Sequence, residues 1–103
     1  MRILTVLLLT LFTFYARAGS GPAQPRKFIK LSSGVKLHYL EAGSGPTVLL
    51  LHGFASWSYS WAETIPDLAA HYHVLVPDLM GYGLSDKPAN GNYSWATYVE
   101  QLK

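Results

Sequence analysis

The run Thr47-Val48-Leu49-Leu50-Leu51 ending in His52-Gly53-Phe54, and the later run Val74-Leu75-Val76 ending in Pro77-Asp78-Leu79-Met80-Gly81-Tyr82-Gly83-Leu84-Ser85, decide the fold. Neither apolar run alternates with polar residues. Continuous apolar strands are buried on both faces, the habit of inner strands in a parallel sheet. Each run stops at a glycine-containing loop. Open α/β sheets place their chemistry in such loops, at the carboxyl ends of the strands.

Outward from these runs the periodicity changes. Lys27-Phe28-Ile29-Lys30-Leu31 opens a strand, Ser32-Ser33-Gly34 is a turn, and Val35 to Leu40 alternates apolar and polar residues. That alternation fits a strand with one wet face, and it puts His38 on that face. The two strands form an antiparallel hairpin, with lysines suited to a sheet edge. From about Ser56 to Ala70, Trp57, Trp61, Ile65 and Leu68 recur at helical spacing, which makes both tryptophans core residues. Ser60 and Glu63 fit a capping box, and Pro66 is a kink or a restart. His73 to Pro77 is the next strand, and Tyr93 to Lys103 reads as a second helix. The fold class is therefore α/β, in the order β-β-β-α-β-loop-α, with parallel pairing of the later strands. A strand such as Val48–Leu51 wants a neighbour on each side. One can come from within the chain, and the other is expected from residues beyond Lys103.

The first residues are of a different kind. Met1-Arg2 is a short positive start, Ile3 to Tyr15 carries no charge, and Ala16-Arg17-Ala18 fits a small-residue cleavage site. The uncharged stretch is short for a spanning helix, which needs about 18 residues. Residues 1–18 are therefore expected to be a secretory signal peptide, with an uncleaved anchor as the alternative. Residues 19–25 read as a Gly- and Pro-rich leader, and 26–103 as a partial α/β domain, secreted or periplasmic. Eight Lys/Arg against six Asp/Glu give a net charge of +2, but Arg2 and Arg17 leave with the signal. No basic patch then remains for nucleic acid, and no stable membrane span is expected after cleavage. The absence of cysteine excludes disulfides and thiolate metal sites.

In the first loop, Gly53 permits a tight bend, after which the backbone N–H of Phe54 can point into the crevice. A donor so placed stabilises a developing oxyanion by roughly 3–4 kcal/mol. His52 more naturally braces the loop than reacts. An ordinary strand-to-helix turn is the plainer alternative. In the second loop, Asp78 can accept backbone N–H bonds, Gly81 and Gly83 permit unusual backbone angles, and Ser85 can hydrogen-bond locally. Asp78 as a general base and Ser85 as a nucleophile are the chemical alternatives, but neither has a histidine in local sequence to activate it. Gly81-x-Gly83 lacks the third glycine of a dinucleotide loop and the lysine of a P-loop, so no cofactor is implied. His71 and His73 lack a third ligand and read as a solvated turn, not a metal site. Asn92-Tyr93-Ser94 is a formal glycosylation sequon. No residue stands in a G-x-S-x-G nucleophile elbow.

Strand, His52-Gly53-Phe54, an aromatic-rich helix with Trp61, strand, then Pro77 through Pro88 together resemble the amino-terminal third of the α/β-hydrolase fold superfamily. The resemblance covers roughly Phe28 to Lys103, and it is to the branch of microbial esterases, epoxide hydrolases and haloalkane dehalogenases. It implies a mostly parallel sheet of which this chain would supply the opening strands. It implies Phe54 as an oxyanion-hole donor through its N–H, and His52, Gly53, Asp78, Gly81, Gly83 and Ser85 as loop-structural residues. In the family's order the nucleophile, acid and catalytic histidine come later, and none has a counterpart here. An elbow is expected about 10–25 residues past Lys103.

Phe54 stands where haloalkane dehalogenases usually carry Asn, and Ala55 where epoxide hydrolases usually carry Pro. Both departures favour the members with a serine nucleophile, acting on ester-type bonds of a small-molecule substrate. Epoxide or carbon–halogen hydrolysis with an Asp nucleophile is the second reading. A non-catalytic secreted fragment or binding partner is the third. On either enzyme reading these residues alone are expected to be inactive.

Overall fold

The computed structural model describes residues 26–103. The expected signal peptide (1–18) and leader (19–25) lie outside the described residues. Strands β1 (Lys27–Lys30), β2 (Lys36–Ala42), β3 (Thr47–Leu49) and β4 (His73–Pro77) form one sheet in the order β1-β2-β4-β3. β1 pairs antiparallel with β2, β2 antiparallel with β4, and β3 parallel with β4. A single 3₁₀ turn (Ser58–Trp61) and a short helix α1 (Ile65–Ala69) link β3 to β4, and helix α2 (Trp95–Gln101) follows the long loop after β4.

The register explains the core. Leu40 lies opposite Val76 and Ala42 opposite Val74, so period-two alternation aims these side chains at one face. There Leu40, Val74 and Val76 pack on Ile65 of α1, with Leu50, Trp61 and Leu68 around them. Each fully buried side chain of this size contributes about 1.5–3 kcal/mol. The opposite face carries Leu37, Tyr39, Leu75 and Pro77, and the end of α2 reaches it through Leu102.

Three expectations change. The segment 56–70 is not one helix. Pro66 sits in the first turn of α1, where a missing N–H is harmless, and so starts a new helix. The preceding piece winds as 3₁₀, with three residues per turn, so Trp57 and Trp61 no longer share a side. Trp57 is 43% exposed and tilts against Tyr59 at 4.7 Å, while Trp61 packs beside the core. Ser60 lies inside the 3₁₀ turn and caps nothing. Second, β3 is the outermost strand among the described residues, and Leu49 and Leu51 are each 43% exposed, so burial on both faces is not met there. Third, α2 is shorter than Tyr93–Lys103. Ser94 caps it, its Oγ accepting from Thr97 N–H at 3.3 Å, and Trp95 is exposed.

Candidate active site

Because β3 and β4 run parallel, their carboxyl ends lie side by side and bring the two loops together. Between these loops and α2 lies a cleft of about 580 Å³, whose lining includes His52, Phe54, Tyr82, Tyr93, Trp95 and Tyr98. Its walls are mainly aromatic. The Tyr98 hydroxyl, which burial pushes up from its ordinary value, donates to the Met80 carbonyl at 3.0 Å.

Asp78 is fully buried, and its carboxylate ties separate parts of the chain together. Oδ1 accepts from the Ser58 N–H at 2.6 Å. Oδ2 accepts from the Leu84 N–H at 2.9 Å and from His38 Nδ1 at 2.8 Å. Burial pushes this carboxyl up, but the donors of Leu84, Ser58 and His38 outweigh it and hold it below the usual aspartate value. Ser85 lies beside it: its Oγ donates to the Asp78 carbonyl at 2.6 Å and accepts from the His38 N–H at 2.9 Å. Both oxygens of Asp78 and the hydroxyl of Ser85 are thus engaged in holding the backbone. Gly83 has φ +52, and a Cβ there would stand 2.2 Å from Asp78 Oδ2. Gly81, at φ +91, passes under the ring of Tyr93.

His52 is buried and bonded through both ring nitrogens. Nε2 accepts from the Leu79 N–H at 3.0 Å, so the ring proton sits on Nδ1 and is donated to the Gly53 carbonyl at 2.9 Å. The lone pair a base would need is therefore occupied. The loop from Phe54 to Trp57 hangs between two fixed points, His52 bonded to Leu79 and Ser58 bonded to Asp78. Among the described residues nothing accepts a hydrogen bond from the Phe54 N–H, and its ring is 93% exposed. The bend does not fall where the sequence suggests. Gly53 has no positive φ and open space where a Cβ would be, whereas Ala55 takes φ +55.

His38 overturns its expected place on a wet face. It is fully buried, on the same side of β2 as Leu40, with Phe28 at 5.3 Å between ring centroids. The Asp78 carboxylate supplies the partner that makes burial of an imidazole tolerable. Sequence reasoning missed it because period two treats any polar residue as outward. The available signal was a histidine inside an otherwise apolar strand, together with a later aspartate in need of donors.

His71 is exposed in the turn before β4. His73 is not in that turn but in β4, bonding Glu41 through Nε2 at 2.7 Å and Thr47 through Nδ1 at 3.0 Å. No group of three metal-ligating side chains exists among the described residues. Among them, too, no helix is long and apolar enough to cross a membrane.

This strand order, with paired loops at the carboxyl ends of adjacent parallel strands, defines an α/β-hydrolase sheet in its amino-terminal part. The family model described as alpha/beta hydrolase fold matches residues 46–103, and the chain belongs to that family. A haloalkane dehalogenase of Mycobacterium marinum is 45% identical over 73 residues, covering 67% of this chain and 25% of the relative. A soluble epoxide hydrolase of Corynebacterium is 43% identical over 72 residues, covering 68% of this chain and 25% of the relative. A solved meta-cleavage product hydrolase of Pseudomonas fluorescens superposes with a TM-score of 0.69 at 38% identity, covering 74% of this chain and 29% of that one. The chain thus spans about a quarter of the length of the relatives it matches.

Proposed function

We propose that these residues form the oxyanion side of a hydrolase that adds water to a small, largely apolar electrophile. The carrying observation is that the Phe54 N–H has no acceptor among the described residues, on a loop that lines the cleft and is anchored at His52 and Ser58. A preorganised donor lowers a barrier because it needs no rearrangement when charge develops. The relatives named for epoxides and haloalkanes favour an Asp nucleophile supplied outside residues 26–103. That carboxylate would attack a carbon of the electrophile, breaking its C–O or C–halogen bond and expelling an alkoxide that takes up a proton, or a halide, to leave an alkyl ester. Water would then attack the ester carbonyl, releasing the alcohol and restoring the carboxylate. Phe54 would hold the oxyanion of that second step. The serine reading stays beside it on one observation, that Phe54 and Ala55 stand where the two Asp-nucleophile groups usually carry Asn and Pro. There the oxyanion forms on the substrate's own acyl carbon. Export through residues 1–18 belongs to the same proposal and rests on the sequence alone.

The test uses the full-length polypeptide carrying these residues. Phe54→Pro, which removes the donor, lowers kcat by about 10²–10³, while Phe54→Leu, which keeps it, lowers kcat far less. Equal losses would refute the backbone role. A single turnover in ¹⁸O-water then separates the two chemistries. With an Asp nucleophile and an epoxide, the label enters the protein carboxylate and the first product is unlabelled. With a serine nucleophile and an ester, the label appears in the acid product.

A further inference from the structure

His38 is the buried group that the proposed chemistry leaves unused. Three bonds join it to the second loop. Its N–H donates to Ser85 Oγ at 2.9 Å, its carbonyl accepts from the Asp78 N–H at 2.8 Å, and its Nδ1 donates to Asp78 Oδ2 at 2.8 Å. The first two are backbone bonds that any residue at this position would make. Only the third needs an imidazole. The other ring nitrogen, Nε2, is buried without a partner among the described residues. An orphaned buried polar atom costs stability, and an apolar side chain would avoid that cost. What the position gains from histidine is therefore the Nδ1–H aimed at Asp78.

The carboxylate that receives it is the one that fixes the oxyanion loop. Asp78 Oδ1 holds the Ser58 N–H, one of the two points between which Phe54 is suspended. With the Nδ1–H in place, one rotamer of Asp78 satisfies all three donors at once: Ser58, Leu84 and His38. Without it, Oδ2 keeps only Leu84, and rotation of the carboxylate about its Cβ–Cγ bond is restrained by less. Ser58, and with it the loop that presents Phe54, then moves as Asp78 moves.

We propose that His38 is a positioning residue for the oxyanion donor, acting on the Phe54 N–H through Asp78 and Ser58. The inference rests on the reading of Phe54 given above. It places His38 outside the reaction itself: its ring touches neither the cleft nor the reacting atoms, and its effect is on where a charge-stabilising dipole points.

The experiment compares His38→Asn, His38→Gln and His38→Leu in the full-length enzyme. An Asn amide places its nitrogen near the position of Nδ1, whereas a Gln amide carries it one bond further, toward Nε2. His38→Leu lowers kcat about tenfold or more with KM changed less than about twofold, because a misplaced oxyanion donor weakens the transition state and not the bound substrate. His38→Asn restores kcat to within about threefold of the parent, and His38→Gln does not. A role in filling space predicts the reverse order, since Gln is the larger side chain, so Gln matching or exceeding Asn overturns the proposal. Should His38→Leu not fold, the order of Asn and Gln decides alone. The double variant Phe54→Pro/His38→Leu is the second arm. With the donor already gone, losing its positioning residue adds less than about threefold. Losses that multiply in the double variant overturn the role of His38 and leave that of Phe54 standing. Full kcat in Phe54→Pro alone overturns both.

Discussion

Replacing Gly83 with alanine tests whether the Asp78 carboxylate holds the loop or merely sits beside it. Two costs fall on the variant. The first is backbone: φ is +52, and a non-glycine residue in the left-handed region costs about 1–2 kcal/mol. The second is contact. The new Cβ would stand 2.2 Å from Asp78 Oδ2 and 2.3 Å from its Cγ, far inside any tolerated approach, so the carboxylate must leave its position. It then gives up the donors of Ser58, Leu84 and His38. Hydrogen bonds to a charged group contribute about 1.5–3 kcal/mol each, so losing even one brings the total to at least about 2.5 kcal/mol. Losing two exceeds what most single substitutions cost. Urea unfolding followed by tryptophan fluorescence measures the loss. Gly34→Ala is the internal control, because φ there is +89 and nothing lies within 4 Å of an added Cβ. It carries the backbone cost alone. If Gly83→Ala costs no more than Gly34→Ala, the clash is absent and the hub reading is wrong. A cycle with Asp78→Ala sharpens the point: without the carboxylate, Gly83→Ala should cost only its backbone share.

Acid should weaken this region. Burial raises the Asp78 carboxyl, but the Leu84, Ser58 and His38 donors outweigh it and hold it below its ordinary value, so its stabilisation is complete above the usual carboxylate range and is lost as pH falls through the depressed folded value. Asp78→Asn should therefore be less stable than the parent at neutral pH, and its urea midpoint should fall less steeply below about pH 5; parallel curves would refute the assignment. At the first loop, Ala55 at φ +55 is the strained position and Gly53 is not. Ala55→Gly should raise stability by about 0.5–1 kcal/mol, and Gly53→Ala should be neutral or mildly stabilising, both read from the urea midpoint.

The strands were legible where their side chains report burial directly. The strand His73–Pro77 around the apolar run Val74-Leu75-Val76 and the hairpin punctuated at Gly34 both fold as read. For the second loop the sequence offered turn-fixing as one use of Asp78 and Ser85 beside chemical ones, and the structure bonds both side chains to backbone groups. The helix was not legible. Its periodicity is shared by two short pieces, and the choice between them is made by Pro66 and by a hydrogen bond from Ser58 to an aspartate twenty residues on. His38 was illegible for the same reason: its partner is forty residues away, and alternation within one strand carries no information about it. Gly53 was over-read, because a glycine marks a place where a bend is permitted and not where it occurs.

Two of the misread places, His38 and the segment around Ser58, share a cause that bears on how the site is held together. Asp78 gathers donors from β2, from the 3₁₀ turn and from its own loop, so the sheet, the loop carrying Phe54 and the floor of the cleft become ordered together. If Phe54 has its proposed role, its dipole must sit within about 0.5 Å of its productive place and cannot be left on a loop held only by local bonds. Fastening that loop to a buried charge ties its geometry to the core, and on the proposed role of Phe54 it would make stability and turnover inseparable at positions 38, 58, 78 and 84. The opposite wall differs. Trp95 is 83% exposed and Tyr93 43% exposed, and neither is part of that network. On the proposed reading, changes there would alter which molecule enters the cleft without moving the Phe54 donor. A site built as proposed would change substrates by exchanging the aromatic side chains at 93 and 95 while its oxyanion geometry stays fixed.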